Sequence, residues 1–389
     1  MTKSGLVGRR VNISGSANEE TNPEIIQYGH QLIAGTVRGI LSEGGGLIIG
    51  AGKEPRAGRN ANAPSLVFDW TVLENAASCF RGGSYKWPSS AGVPLIVVTS
   101  QKSESEIPDE RRGLWNQLLS SGLMRVESIM PGARSAAILR DRQAQLGDIL
   151  LTLGGGTGVE HLAGLYQDRR RPVIPLDLPL GANRNDGTGG STLLALLARN
   201  KPENFLALQA PLSEMANTYL AMISTRNGTA KLDSVISALI ELLKSLELPR
   251  VFYTRLLNPE HEAFPRVETF FRNVVDPVVE LLGFKRIDMG IDASKHAFVN
   301  IAVFEDIHFA SVVVADFTGV RPNCFVEAGY VLGRGIRLIA TAEKGTQVPF
   351  DLYSILHHFW EPNLDNTEGQ AAFLRFWKNT IDRNPVVRI

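Results

Sequence analysis

The feature that most restricts the fold is an alternation, run through twice, of short β-branched stretches with longer amphipathic ones. In the first pass, strands are expected at Val11–Ser14, Leu47–Ile49, Pro94–Thr99, Ile149–Leu153 and Pro172–Leu176. Between and after them, helices are expected at Pro23–Leu41, Asp69–Phe80, Arg111–Ser121, Ala133–Leu146, Gly158–Gln167 and Ser191–Ala198. A helix between two strands returns the chain to run in the same direction, so the strands form a mostly parallel sheet with helices on both faces. The fold class is therefore α/β, beginning with a Rossmann-like parallel sheet whose ligands belong at the carboxyl ends of the strands.

Two further helices, Leu212–Ile223 and Ala230–Leu248, follow that sheet. In the second, Leu232, Val235, Ile236, Leu239, Ile240, Leu242 and Leu243 make a broad apolar stripe that needs a partner. The first domain, the second domain or another copy of the chain would each serve. Pro249 then opens the second pass, with strands expected at Arg250–Thr254, Lys285–Met289, Ser311–Ala315 and Ile336–Ala340. Its helices are expected at Pro265–Leu282, Ser294–Phe309, Pro322–Leu332 and Thr367–Thr380, which predicts a smaller flavodoxin-like α/β domain. The expected divisions are 1–228, a connecting helix at 229–248, and 249–389, since 389 residues exceed one ordinary core.

Bulk properties narrow the partners. Lys plus Arg and Asp plus Glu both total 40, so no net field draws the chain to nucleic acid or an anionic membrane, and neither is expected as a partner. The two cysteines, Cys79 and Cys324, lie in different predicted domains and suit a reducing compartment. No stretch near eighteen apolar residues occurs and Met1–Arg10 lacks an apolar core, so a cytoplasmic location is expected.

The 37 glycines cluster where predicted strands end. Gly15-Ser16-Ala17 follows the first strand, Gly50-Ala51-Gly52-Lys53 the second, and Gly154-Gly155-Gly156-Thr157-Gly158 leads into a helix. Glycine removes the Cβ that keeps a phosphate away from backbone N–H groups, and the helix adds its positive end. One such loop is as well explained by turn geometry. Several on one sheet edge point to a nucleotide-like ligand, with Asn183–Ser191 as a further loop over the same crevice. No Gly-Lys-Ser/Thr closes a Walker frame, which argues against phosphoryl transfer.

Gly44-Gly45-Gly46 together with Leu153-Gly154-Gly155-Gly156-Thr157-Gly158-Val159-Glu160 resembles the SLOG superfamily, which includes the LOG phosphoribohydrolases and DprA. The likeness covers about Val11–Arg199. In the enzymatic LOG motif, Pro-Gly-Gly-x-Gly-Thr-x-x-Glu, the catalytic Glu position falls here on Leu162, and Glu160 lies two residues early on another helix face. The family's arginine is Arg140 or Arg142. The resemblance thus implies a domain that holds a signal nucleotide, at Gly15, Ser16, Gly50, Gly52, Lys53, Arg140, Gly155, Gly156, Thr157, Gly158 and Glu160, without hydrolysing it.

In the second domain, Ser311-Val-Val-Val-Ala-Asp316 ends a buried strand at the ligand edge, and Pro322 suits the first turn of a helix. Phe325, Ala328, Gly329 and Leu332 form that helix's expected core face, leaving Glu327, one turn after Asn323, towards the crevice. An isolated Asp or Glu is usually a solvated surface group or a helix cap. Two carboxylates at one crevice instead suit glycosidic chemistry, where one attacks or stabilises the anomeric carbon and another orients sugar hydroxyls.

The string Asp316-Phe-Thr318-Gly319-x-x-Pro322-Asn323-x-x-x-Glu327-x-Gly329-Tyr330 resembles the signature of the nucleoside 2-deoxyribosyltransferase-like family, similar in fold to TIR domains, over about Arg250–Trp360. It implies Glu327 as nucleophile, Asp316 as the sugar-binding aspartate and Asn323 beside them, with Thr318 and Gly319 lining the sugar site. Tyr253 and Arg255, at another strand end, are expected to stack on a base or hold a phosphate, or else to be an edge aromatic and a surface cation. Asp292 and His296 are weaker candidates, and His357 and His358, as strand neighbours, would face opposite ways, so no metal set is expected. The combined resemblance implies a homo-oligomeric antiphage effector, a signal-gated N-glycosidase with no cofactor and with NAD+ or a related (deoxy)nucleotide as substrate. Two alternatives stand: a LOG-like phosphoribohydrolase, and a protein that only binds nucleotides.

Overall fold

A computed structural model describes residues 4–57, 63–88, 91–130, 132, 134–181, 189–207, 214–223, 231–287, 299–349, 352 and 355–381. By its contacts the chain separates into two compact units, and along the sequence the division falls between Glu247 and Leu248. The first unit runs β1 (Arg10–Ser16), α1 (Pro23–Ser42), β2 (Gly46–Ile49), α2 (Asp69–Arg81), β3 (Leu95–Ser100), α3 (Gln101–Ser105), α4 (Asp109–Ser120) and β4 (Met124–Ile129). It continues through α5 (Ser135–Leu146), β5 (Ile149–Gly154), α6 (Thr157–Gln167), β6 (Val173–Leu176), α7 (Gly190–Asn200), α8 (Pro202–Leu206), α9 (Glu214–Ile223) and α10 (Leu232–Ser245).

Its sheet is parallel, in the order β4-β3-β2-β1-β5-β6. The order reverses between β1 and β5, and a crevice opens where crossovers leave such a switch point in opposite directions. Strand alternation separates two layers. Val11, Ile13, Leu47 and Ile49 join the core beneath α1, α2 and α10, while Ile48 and Leu150 point to the opposite face, under α5 and α6.

Helix α10 belongs to this first unit instead of serving as a free connector. Its stripe, with Leu239, Leu242 and Leu243 buried, closes on α1, where Gly35 and Gly39 lie directly under Ile236 and Ile240. A Cβ at Gly39 would come within 2.6 Å of the Ile240 side chain, so the two glycines set how closely the helices approach.

The second unit runs β7 (Arg250–Thr254), α11 (Phe264–Phe270), a π-helical turn (Phe271–Val275), α12 (Asp276–Leu281), β8 (Lys285–Ile287), α13 (Val299–Phe309), β9 (Val312–Asp316), α14 (Pro322–Gly333), β10 (Arg337–Glu343), β11 (His357–Trp360) and α15 (Asn366–Thr380). The order β11-β10-β9-β7-β8 is the flavodoxin-like one, and it reverses between β7 and β9. Among the described residues the sheet has five parallel strands where four were expected. Val251 and Val314 pack under α11, α12 and α15; Phe252 and Val313 pack on the side of α13 and α14.

Candidate functional site

The second unit's switch point gathers the carboxylates. Asp316 ends β9 with no solvent exposure. Its Oδ1 accepts from the Thr318 backbone N–H at 3.1 Å, and its Oδ2 accepts from Thr341 Oγ1 at 2.8 Å and Trp360 Nε1 at 2.9 Å. Burial pushes its carboxyl above the ordinary aspartate value, against the lowering pull of those donors. Both oxygens are thus engaged inside the protein, and Asp316 braces three strand ends instead of presenting an open face to a ribose.

Glu327 is half-buried in the first half of α14. The buried side of that helix is Cys324, Ala328 and Val331, and Gly329 is exposed, which corrects the expected core face. At about 100° per residue Glu327 flanks that buried side, within reach of the neighbouring strand. Burial raises its carboxyl and the nearby Thr254 hydroxyl lowers it. Thr254 closes β7 and is buried, and its hydroxyl pulls down both the Glu327 carboxyl and the Cys324 thiol. Cys324, close enough to Asp316 and Glu327 to feel both charges, is pushed up to about 11, chiefly by burial, and stays a thiol.

The other expected residues divide. Asn323 is exposed on the first turn of α14. Thr318 is buried, its Oγ1 accepting from the Glu343 N–H at 2.8 Å, so it ties the loop to β10. Gly319 sits at φ 79°, where a Cβ would meet the His261 ring at 3.0 Å. Val320, beside it, holds φ 50°, a strained setting for a β-branched residue. Tyr253 is not at the crevice. It is buried edge-on to Phe271, 5.0 Å between centroids, and burial followed by Asp276 raises its phenol.

Alternation explains this: Tyr253 and Thr254 must face opposite ways, so the crevice receives the threonine. Arg255 is paired with Glu268 and lies 4.8 Å over the Phe271 ring, a tethered cation instead of a free phosphate clamp. Asp292 and His296 lie outside the described residues. His357 and His358 do face opposite ways, towards Phe317 and Phe373. The sequence placed Tyr253-Thr254-Arg255 at this edge but singled out Thr254's two neighbours, although strand period favours the threonine, and it missed His261, a loop residue with no periodic signal. The His261 Nδ1 accepts from the Ala263 N–H at 3.1 Å, which leaves Nε2 as its proton-bearing atom in the neutral ring.

In the first unit the glycines serve two purposes. A Cβ at Gly15 would strike the Leu153 carbonyl, and one at Gly154 the Ser16 carbonyl, so these two let β1 and β5 come together. Gly52 lies against Ser103 at 3.1 Å, and Gly155 is packed on Val159. Gly50 and Gly158 are open towards side chains, Gly50 towards Asp69 and Gln143, Gly158 towards Arg140. Gly156 precedes the first turn of α6, Thr157 is exposed there, and Ser16, Glu160 and Arg140 are half-buried around it; Lys53 is exposed.

Arg140 donates from Nε to His161 Nδ1 at 2.8 Å, whereas Arg142 is buried and held by Glu127 at 3.2 Å. Arg140 is therefore the arginine beside α6. Leu162, where a phosphoribohydrolase motif carries its glutamate, is buried in the core. Among the described residues no group of three or more His, Cys, Asp or Glu is placed to hold a metal, and no helix is long and apolar enough to cross a membrane.

Two parallel α/β sheets, each with a switch-point crevice, place the chain among the doubly wound nucleotide-site folds. More narrowly, residues 6–243 match the family described as ATP nucleosidase Cap17-like, N-terminal, and the chain belongs to that family. The ATP nucleosidase Cap17 of Escherichia coli (strain KTE188) is 26% identical over 234 residues, covering 60% of this chain and 44% of that protein. A second Escherichia coli ATP nucleosidase Cap17 matches to the same extent. The chain therefore spans less than half the length of these relatives. Among solved structures, DNA processing protein A from Helicobacter pylori, described for its single-stranded DNA binding mode, is 14% identical, with a TM-score of 0.33 over 61% of this chain and 81% of that one.

Proposed function

We propose that the chain is a nucleotide N-glycosidase in which the second unit breaks the glycosidic bond and the first binds a nucleotide signal that controls it. The observation that carries this reading is Glu327, recessed at the switch point beside the buried Thr254 hydroxyl that stabilises its charge. A carboxylate held there supports the electron-poor anomeric carbon as the C1′–N bond breaks, by attack or by electrostatic stabilisation. Water supplies hydroxide to C1′, and its proton goes to a departing purine or pyrimidine, or to solvent when nicotinamide leaves NAD+, so the products are a free base and a ribosyl phosphate or ADP-ribose. Asp316 keeps the β9 end and its loop in place, and the His261 Nε2–H lies at the lip as a donor to the substrate.

Kinship with proteins named ATP nucleosidases supports base release as the reaction class, with ATP joining NAD+ and (deoxy)nucleotides as substrates to test. An antiphage role and a homo-oligomeric assembly complete the proposal. Chromatography of products from a panel of NAD+, ATP and deoxynucleotides is the test, and Glu327→Gln is expected to lower base release at least about 100-fold. Because the family match lies over 6–243, a second reading puts base release in the first unit. Release that persists at full rate in Glu327→Gln selects that reading and ends the first.

A further inference from the structure

The first unit has a carboxylate that no expectation absorbed. Asp69 opens α2, beneath which lies the core, and its Oδ2 stands 3.8 Å from where a Cβ on Gly50 would be. The Gln143 Nε2 stands 3.9 Å from the same point, so a carboxylate and an amide both border the one glycine of the β2 loop that no backbone crowds. Asp69 is half-buried, and its carboxylate makes no hydrogen bond or ion pair with any described residue. Two residues before Ser14, on the sheet face that Gly50 shares, Asn12 is fully buried with both amide atoms unpartnered among the described residues. Polar groups left this way are rare in a settled core, and they mark places where a ligand or ordered water completes the bonding.

The two ends of this edge present different groups, each with an acid and a base: Glu160 and Arg140 at the start of α6, Asp69 and Lys53 beside β2. At the β5 end, the start of α6 presents free backbone N–H groups, with Arg140 alongside, which suits a phosphate. At the β2 end, Asp69 repels one. The two ends are separated by β1 alone, about 10 Å at roughly 4.8 Å per strand spacing. That span matches a nucleotide lying across β1 with its phosphates at one end and its sugar at the other.

We propose that the carboxyl edge of the first sheet binds a ribonucleotide in a single orientation, phosphates at α6 beside Arg140 and the ribose diol on Asp69 over Gly50. Two unpartnered carboxylate oxygens accept from adjacent hydroxyls, and the Gln143 amide donates to one of them. Asp69 is thereby the residue that selects ribose over deoxyribose. The inference rests on the reading of this unit as a nucleotide sensor, and deepens it.

Calorimetric titration of the full chain in the Glu327→Gln background, which protects the ligand, tests it with ADP, ATP and their 2′,3′-dideoxy counterparts. The ribonucleotides are expected to bind at least about tenfold tighter than the dideoxy forms, since one charge-assisted hydrogen bond is worth about that much. Asp69→Asn removes this preference and Gln143→Met reduces it, while Arg140→Ala weakens all four nucleotides alike. A melting curve for each variant separates loss of preference from loss of fold. Binding whose ribose preference survives Asp69→Asn overturns the assignment and leaves the sensor reading standing; no binding of any of the four by the parent chain overturns both.

Discussion

At the scale of single residues, the two crevices are distinguished by how their acids are treated. Glu327 is raised by burial and pulled back by Thr254, and the proposed reaction requires its ionised form. The rate therefore falls as pH drops through a value above the ordinary glutamate 4.5, and Thr254→Val moves that acid limb to higher pH; pH profiles of kcat/KM for both proteins check the shift. Asp69 is pushed by burial from 3.8 to about 7. Its proton is held more tightly in the folded than in the unfolded chain, so its contribution to stability is full below about pH 4 and is lost as pH rises through about 7. Replacing it with Asn is expected to raise the melting temperature at pH 8 and to leave it unchanged at pH 4. The gain is at most about 4 kcal/mol at roughly 1.4 kcal/mol per pH unit, less because solvent reaches the group.

Among elements, the central strands and long helices were legible because their patterns are unbroken. Arg250–Thr254 has the expected bounds, and α1 begins at the expected Pro23. Two strands were missed, β4 and β11, and both are sheet edges. The Met124–Ile129 run carries Arg125, Glu127 and Ser128, and the His357–Trp360 run begins with two histidines; half-wetted strands of this kind lack the apolar run that announces an interior one. Missing β11 also hid Trp360, and with it the reason Asp316 is sealed. The string from Asp316 to Glu327 marked the right loop and helix, but it could not show which carboxylate faces outward, since that depends on donors 25 and 44 residues away. The α1 and α10 contact gives this scale its prediction: Gly39→Val forces the helices apart against Ile240 and costs about 1–3 kcal/mol, read as a lower midpoint in urea unfolding.

For the whole molecule, each unit has its own core and its own switch-point crevice. A chain ending at Glu247 is therefore expected to fold and to bind nucleotide without releasing base, which calorimetry and product chromatography on that fragment will establish. Its fellow, from Leu248 onward, is expected to carry whatever glycosidic activity the full chain has. The Trp360 indole reaches Asp316 across the width of β10, so the outermost strand of the second sheet supplies a proton donor to its middle. Trimming the chain back past β11 would leave a sealed carboxylate short of a donor in a dry interior. The edge of the second sheet is in this sense tied to its middle, and damage at one would be felt first as disorder at the other.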